Sequence, residues 1–378
     1  METMTLGSLF DGIGGWLMAA RHAGVTPIWA SEIEPFPCSV TARHFPNVKQ
    51  LGDITQINPD EIEPVDIVCA GSPCQDLSIA GKRKGLGGER SGLFRTAADI
   101  VRRMRTSTGG RYPRYFVWEN VPGAFSSNKG ADFRSVLEEI GQTEIPIPKT
   151  GKWANAGMVE CDACQIAWRV LDAQYWGVPQ RRRRIFLVTD FAADDRRAGE
   201  ILFEQESVSG NPAESKRAGE GVAGRTADCA RTPGKKYTRA AGFCAGGSAG
   251  VVGYQVECAA TLTTRWGGQA PTVAIYDMTH ADEVMRPVKD GIVPTLNARM
   301  GTGGNQVPVA HIYGAQAASS SIVRRLTPTE CERLQGLEDG YTDGGSDTAR
   351  YKALGNGMAQ PCADYVIRRI VECAKEVW

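Results

Sequence analysis

The chain has 378 residues, 42% of them hydrophobic and 23% charged, which is enough apolar matter for the core of one large domain or two smaller ones. Its 43 basic and 43 acidic side chains give a net charge of +0, which removes any global electrostatic case for nucleic acid and leaves only local patches, residues 82–84 and 181–184. No apolar run approaches the roughly 18 residues a membrane helix needs, and METMTLGSLFDGIGG lacks the regions of a secretory signal, so no membrane partner and a cytoplasmic location are expected.

Over the first 190 residues short apolar runs alternate with amphipathic segments, the pattern of a parallel α/β sheet. Strands are expected at TLGSLF (5–10), TPIWAS (26–31), VDIVCA (65–70), RYFVWE (114–119) and RRIFLVTD (183–190). Helices are expected over 14–23, 92–105 and 131–140; the second ends in Arg102, Arg103 and Arg105, cations that suit a helix C-terminus. Between residues 200 and 320 the text turns rich in Gly, Ser, Thr and Ala, with no long helical period. Within it TLTTRWGGQAPTVAIY (261–276) is echoed by TLNARMGTGGNQVPVAHIY (295–313), a duplicated strand-turn unit with too few copies for a solenoid. Helical text returns at 324, where RRLTPTECERLQGL offers Thr327 as N-cap, Pro328 at the first helical position and Glu330 to complete a capping box. Residues 357–376 read as a final amphipathic helix.

Eleven cysteines, an odd number, favour thiols over a disulfide framework. Cys161 and Cys164 form a CxxC with no second pair nearby, so no metal is expected there. FDGIGGW follows the first strand and opens a helix, and Gly12, Gly14 and Gly15 let a ligand approach the backbone at a strand's carboxyl end. Leu17 stands where GxGxxG would have its third glycine, which weakens a dinucleotide reading. Glu32, ending the second strand, suits ribose hydroxyls, and Asp53 in GDIT suits an adenine amino group; each serves equally well as a helix cap or solvated acid.

Cys74 stands at the mouth of a Gly- and Lys-rich loop, GSPCQDLSIAGKRKG, as a thiolate that meets an anion would. A strong nucleophile there needs a pKa below the usual ~8.5, and the plain alternative is a buried structural thiol. Glu119 in VWENVPG ends an apolar strand, a usual catalytic address in an open α/β sheet, where burial should raise its pKa and let it donate a proton. In VPQRRRRIFLV alternate side chains of an extended segment share a face, so Arg182 and Arg184 should point together.

The pieces FDGIGG, the acid in ASEIE, GDIT, GSPCQDLSIAGKRKG, ENV, QRRRRIF, RRLTPTECERLQGL and LGNGM follow one another over nearly the whole chain, which in this resembles the DNA (cytosine-5) methyltransferases. The resemblance implies the seven-stranded, Rossmann-like α/β fold of class I S-adenosylmethionine-dependent methyltransferases. Residues 1–198 and 321–378 would form the catalytic and cofactor-binding domain, and 199–320 a smaller, loop- and β-rich target-recognition domain. S-adenosyl-L-methionine would be held by Phe10, Gly12, Gly14, Gly15, Glu32, Asp53 and Asn356 and leave as S-adenosyl-L-homocysteine. Met358 replaces the commoner valine of LGNGM.

By the same resemblance Cys74 adds to cytosine C6, Glu119 serves N3, and Arg184 contacts O2 with Arg182 as its helper. The extra arginines of QRRRRIF leave the assignment of roles within that run open. Ser78, Lys82, Arg83 and Lys84 fit a loop that closes over phosphates beside a flipped base. The expected partner is double-stranded DNA, bound by a monomer, with any cognate restriction endonuclease acting separately. Arg265 and Arg299, one in each copy of the repeat, either read flanking guanines or hold a loop-rich domain together. Related enzymes of transfer RNA share the catalytic motifs but have a shorter insert. A DNA-binding module without catalysis would not need Cys74, Glu119 and the cofactor acids together, and a nicotinamide oxidoreductase gains nothing from PCQ or ENV.

Overall fold

The computed structural model describes residues 3–73, 92–203, 273–277, 286–287, 292–293, 295–296, 300, 308–312 and 322–375. The chain divides into two units, the first within residues 1–171, 183–208 and 362–378 and the second within 172–182 and 209–361.

The first unit contains, in order, β1 (Thr5–Leu9), α1 (Gly15–His22), β2 (Thr26–Ser31), α2 (Pro35–His44), β3 (Lys49–Gln50), β4 (Ile67–Ala70), α3 (Leu93–Ser107), β5 (Tyr115–Asn120), α4 (Ala131–Gly141), β6 (Ala156–Glu160), β7 (Gln165–Asp172), β8 (Arg183–Asp190) and α5 (Ala198–Leu202). The strands make one sheet in the order β3-β2-β1-β4-β5-β8-β7-β6. From β3 to β5 neighbours are parallel, as the alternating text predicts. β8 departs from that expectation by running antiparallel to β5, with Tyr115 opposite Asp190 and Asn120 opposite Ile185. A parallel pair needs a crossover of roughly a dozen residues or more, and the segment 173–182 between the neighbours β7 and β8 contains no such helix. Among the described residues the sheet has eight strands, one more than the seven the resemblance implies.

Burial on both faces explains why β4 and β5 read as apolar runs: every residue of β4 is buried, and only Glu119 of β5 is not. α3 lays Phe94, Ala97, Ala98, Val101 and Met104 along one stripe against the core, at the spacing of a helix face. Beneath β5, Phe133 of α4 meets Phe125 edge-on at 4.8 Å and Trp153 and Trp168 at 5.4 Å. Such pairs contribute about 0.5–1.5 kcal/mol each beyond their buried area, so this cluster clamps α4 and the β6–β7 hairpin under the strand that carries Glu119. Gly7 is needed in β1 because the Trp29 ring lies 2.1 Å from where a Cβ would stand; the register with β2 shifts there, between Leu6 and Gly7.

The second unit contains β9 (Val273–Asp277), β10 (Arg286–Pro287), β11 (Val309–Ile312) and β12 (Ile322–Arg325), an antiparallel sheet in the order β10-β9-β11-β12. β9 closes the first copy of the sequence repeat and β11 lies at the end of the second, and the two pair directly, Val273 opposite Ile312 and Tyr276 opposite Val309. There follow α6 (Pro328–Gln335), α7 (Asp347–Asn356) and α8 (Gln360–Lys375), the last returning to the first unit from Cys362 onward. The capping box of α6 forms as the sequence predicts, Glu330 N–H donating to the Thr327 hydroxyl at 3.2 Å and Thr327 N–H to the Glu330 carboxylate at 2.7 Å. Among the described residues no helix is long and apolar enough to cross a membrane.

Candidate active site

β1 ends at Leu9, and the loop behind it is shaped by left-handed backbone at Phe10 (φ 56°), Gly12 (φ 59°) and Gly14 (φ 86°), the last being the N-cap of α1 ahead of Gly15. Gly12 has open space where a Cβ would stand, so a ligand has access to its backbone. Its N–H donates to Glu32 Oε2 at 2.9 Å, while Glu32 Oε1 accepts from the N–H groups of Ile33 and Glu34 at 2.8 and 2.9 Å. The loop after β2 is thus clipped to the loop after β1 by one carboxylate. Asp53 Oδ1 caps the short turn at Ile54–Gln56, accepting from Thr55 N and Oγ1, both at 2.9 Å, and the side chain is exposed. The capping role weighed for Asp53 is therefore real, and it occupies one of two oxygens.

Two residues of this region were not legible. Ile33 is 68% exposed beside Glu32, a large apolar side chain facing solvent. Asp11 is buried beneath the loop, accepts from Thr41 Oγ1 at 3.2 Å, and is pushed up to about 7, chiefly by burial. Between Thr5 and Ala20 there is no Lys or Arg. A glycine loop that carries no cation and is clipped to the Glu32 carboxylate disfavours a phosphate and favours a cationic ligand bearing hydroxyls.

At the end of β5 the Glu119 carboxylate meets the Arg184 guanidinium at the start of β8, Nε to Oε1 3.0 Å, with both side chains about one-seventh exposed (14% and 15%). Glu119 Oε2 also lies 3.6 Å from the position of a Cβ on Gly71. The structure thus brings Glu119 and Arg184 together, against the residue that precedes Ser72 and Pro73. Ser72 is itself bonded to β5, its hydroxyl accepting from Trp118 Nε1 and its carbonyl from Asn120 Nδ2, both at 2.9 Å. Cys74, Ser78, Lys82, Arg83, Lys84, Arg265 and Arg299 lie outside the described residues.

The expected partnership of Arg182 with Arg184 is not what the geometry gives. Arg182 is 1% exposed and belongs to the second unit, where its guanidinium donates to Leu296 O at 2.6 Å, to Gly355 O at 3.0 Å and to Gly357 O. β8 begins only at Arg183, so the rule that alternate residues of a strand share a face does not reach back to Arg182. The carbonyls it holds bracket Asn356, the exposed last residue of α7.

The family model for C-5 cytosine-specific DNA methylases matches residues 4–372. The chain is 30% identical to the DNA N-6-adenine-methyltransferase of Escherichia phage P1, over 98% of this chain and 62% of that protein. It is 26% identical to the type II methyltransferase M.Bsp6I of Bacillus sp. (strain RFL6), over 98% of both. It spans less than two thirds of the length of the first curated relatives it matches. A putative DNA modification methyltransferase encoded within an Escherichia coli prophage shares its fold, with a TM-score of 0.58 and 16% identity over 99% of this chain and 100% of that one.

Proposed function

The chain belongs to the C-5 cytosine-specific DNA methylase family, and from that premise we propose that it methylates C5 of a cytosine within a specific short sequence of duplex DNA. The observation that supports the reading best is the Glu119–Arg184 pair at 3.0 Å, set against Gly71 at the root of the Pro73–Cys74 segment. Cytosine C5 is a poor nucleophile until something adds to C6. Cys74 supplies that thiolate, and Glu119 meets N3 and withdraws electron density by donating a proton or hydrogen bond to it. Arg184 holds the Glu119 carboxyl in place and offers its remaining donors to the cytosine O2. C5, now nucleophilic, takes the methyl group; loss of its proton and departure of the thiolate restore the aromatic ring.

S-adenosyl-L-methionine supplies the electrophilic methyl group on a sulfonium and becomes S-adenosyl-L-homocysteine. The glycine loop clipped to the Glu32 carboxylate fits such a cationic ligand. In this reading Glu32 serves the ribose hydroxyls, the second oxygen of Asp53 the adenine amino group, and Phe10 with the backbone of Gly12, Gly14 and Gly15 the remainder, and the resemblance adds Asn356. Arg182 acts on the backbone around Asn356 rather than on the base. Residues 1–198 and 321–378 carry this chemistry, and 199–320 read the flanking sequence. The base must leave the helix to reach Cys74, at a cost of a few kcal/mol, and Ser78 and the cations at 82–84 close on the phosphates beside it.

The test is labelled methyl transfer to duplex DNA and, separately, to transfer RNA, followed by nucleoside analysis and sequencing of the product. Label in 5-methylcytosine from DNA is expected, and Cys74→Ser should abolish it. Label in N6-methyladenine, the product class named for the phage P1 relative, or in transfer RNA alone, would overturn the reading.

A further inference from the structure

Two buried residues that this chemistry does not use flank Glu119 on β5. Side chains alternate along a strand, so Trp118 and Asn120 leave one face and Glu119 the other. β4 stops at Ala70, opposite Trp118, yet the next two residues stay against β5: Gly71 beside Glu119 and Ser72 beside Trp118 and Asn120. Trp118 is 0% exposed, Asn120 3% and Ser72 5%. With no water to replace a lost partner, a buried donor or acceptor left unmade costs more than the bond itself contributes. The indole cannot turn to follow a moving acceptor, because Phe94 packs edge-on against it at 5.6 Å and Phe133 lies at 6.2 Å. Its N–H is therefore a fixed point, and the Ser72 hydroxyl is the group that must come to it. Pro73 follows directly, and its ring fixes φ, so the direction set at Ser72 is passed on with little slack.

We propose that Trp118 and Ser72 form a positioning pair for methyl transfer: the indole N–H anchors the Ser72 hydroxyl and so fixes where the Pro73–Cys74 segment departs relative to Glu119. The inference rests on the reading of Cys74 as the nucleophile. Neither residue touches the base; both act through the strand end that leads to the thiol. Asn120 Nδ2 holds the Ser72 carbonyl at 2.9 Å and reaches the hydroxyl only at 3.4 Å, so removing the indole N–H should loosen the anchor without unravelling the turn.

Trp118→Phe keeps a ring and removes the N–H, Ser72→Ala removes the acceptor, and the double variant removes both. Plasmid DNA copied with 5-fluoro-2′-deoxycytidine triphosphate presents every cytosine target as a trap, and the rate of covalent complex formation with cofactor present is the readout. Each single variant should trap about five- to tenfold more slowly, and the double variant no more slowly than the slower single one, because both remove the same bond. Cofactor affinity by calorimetry should stay within twofold of wild type, while the pH midpoint for iodoacetamide alkylation of Cys74, followed by peptide mass spectrometry, should shift in both single variants. Effects that multiply in the double variant, wild-type trapping rates in both singles, or a loss of cofactor affinity equal to the loss of trapping would each overturn the pair. A wild-type protein that forms no adduct, or forms one through another residue, defeats the reading of Cys74 itself and the inference with it; an adduct at Cys74 with unaffected variants defeats the inference alone.

Discussion

Replacing Asp11 with asparagine removes a carboxyl that the fold keeps at 5% exposure under the loop after β1. Its Oδ2 accepts from Thr41 Oγ1 at 3.2 Å, and among the described residues no hydrogen bond of ordinary geometry reaches Oδ1. Burial pushes the group from 3.8 up to about 7, the charge of Glu32 adds to that push, and the neighbouring hydroxyls of Ser8 and Thr41 oppose it. Because the folded state holds this proton more tightly than the unfolded chain, the group's contribution to stability is complete below about pH 4 and is lost as the pH rises through about 7. The shift corresponds to about 4 kcal/mol across that window, as an order of magnitude. Asparagine stays neutral throughout and keeps an oxygen for Thr41. Asp11→Asn should therefore gain stability relative to wild type as the pH rises from about 4 to above 7, by up to about 4 kcal/mol. Urea unfolding followed by tryptophan fluorescence at several pH values measures this, and the other acids titrate alike in both proteins and cancel. A difference that stays flat refutes the raised carboxyl, and one that runs the other way refutes the sign.

Glu32→Ala should weaken S-adenosyl-L-methionine binding by ~1.5–3 kcal/mol, since a charge-assisted acceptor is lost together with the clip on Gly12; an unchanged calorimetric Kd would falsify the ribose assignment. Arg182→Met leaves the carbonyls of Leu296, Gly355 and Gly357 short of a buried donor and should cost about 3 kcal/mol or more in urea unfolding; a neutral result would mean water replaces the guanidinium there. Burial holds the thiols of Cys69, Cys161 and Cys331 above their usual range and pushes Cys164 up to about 12. Iodoacetamide at neutral pH should spare all four in the folded protein and label them in urea; labelling before unfolding would contradict their packing.

What could be read from the sequence follows from where the side chains lie. β1, β4, β5 and β8, and the buried end of β2, announce themselves because strands buried on both faces are written as apolar runs, and α6 because its capping box is local chemistry. β3 has only two residues, paired to Trp29 and Ala30, and no pattern of its own. α2 buries only Val40 and Thr41 and starts on Pro35, with Pro37 also in its first turn, so no helical period shows. β6 is an edge strand whose residues alternate between exposed and half-buried, and Cys161–Cys164 proves to be the hairpin turn that follows it, Cys161 N–H bonding Cys164 O at 2.8 Å. The placing of Glu119 at a strand end was legible from apolar text that stops at an acid. Asp11 was not, because an acid among glycines reads as solvated until α2 is seen to cover it.

Arg182 and Arg184 show why spacing alone does not decide a role. Two residues apart, they differ in what the backbone is doing: Arg184 lies within β8, while Arg182 sits in the approach to it, its N–H on the Asp172 carboxylate and its C=O accepting from Ala173. Alternation of faces is a property of extended strand, and β8 begins only at Arg183. The carbonyls that receive Arg182 come from more than a hundred residues further along the chain, so no local pattern encodes them. They do share a physical need. Gly355 lies in the last turn of α7 and Gly357 caps it, and the final carbonyls of a helix have no partner within the helix. A guanidinium satisfies several of them at once and places a positive charge at the negative end of the helix dipole. The same reasoning ties two motifs far apart in sequence, QRRRRIF and LGNGM, into one local structure: the arginine is buried where the helix end presents the carbonyls of Gly355 and Gly357.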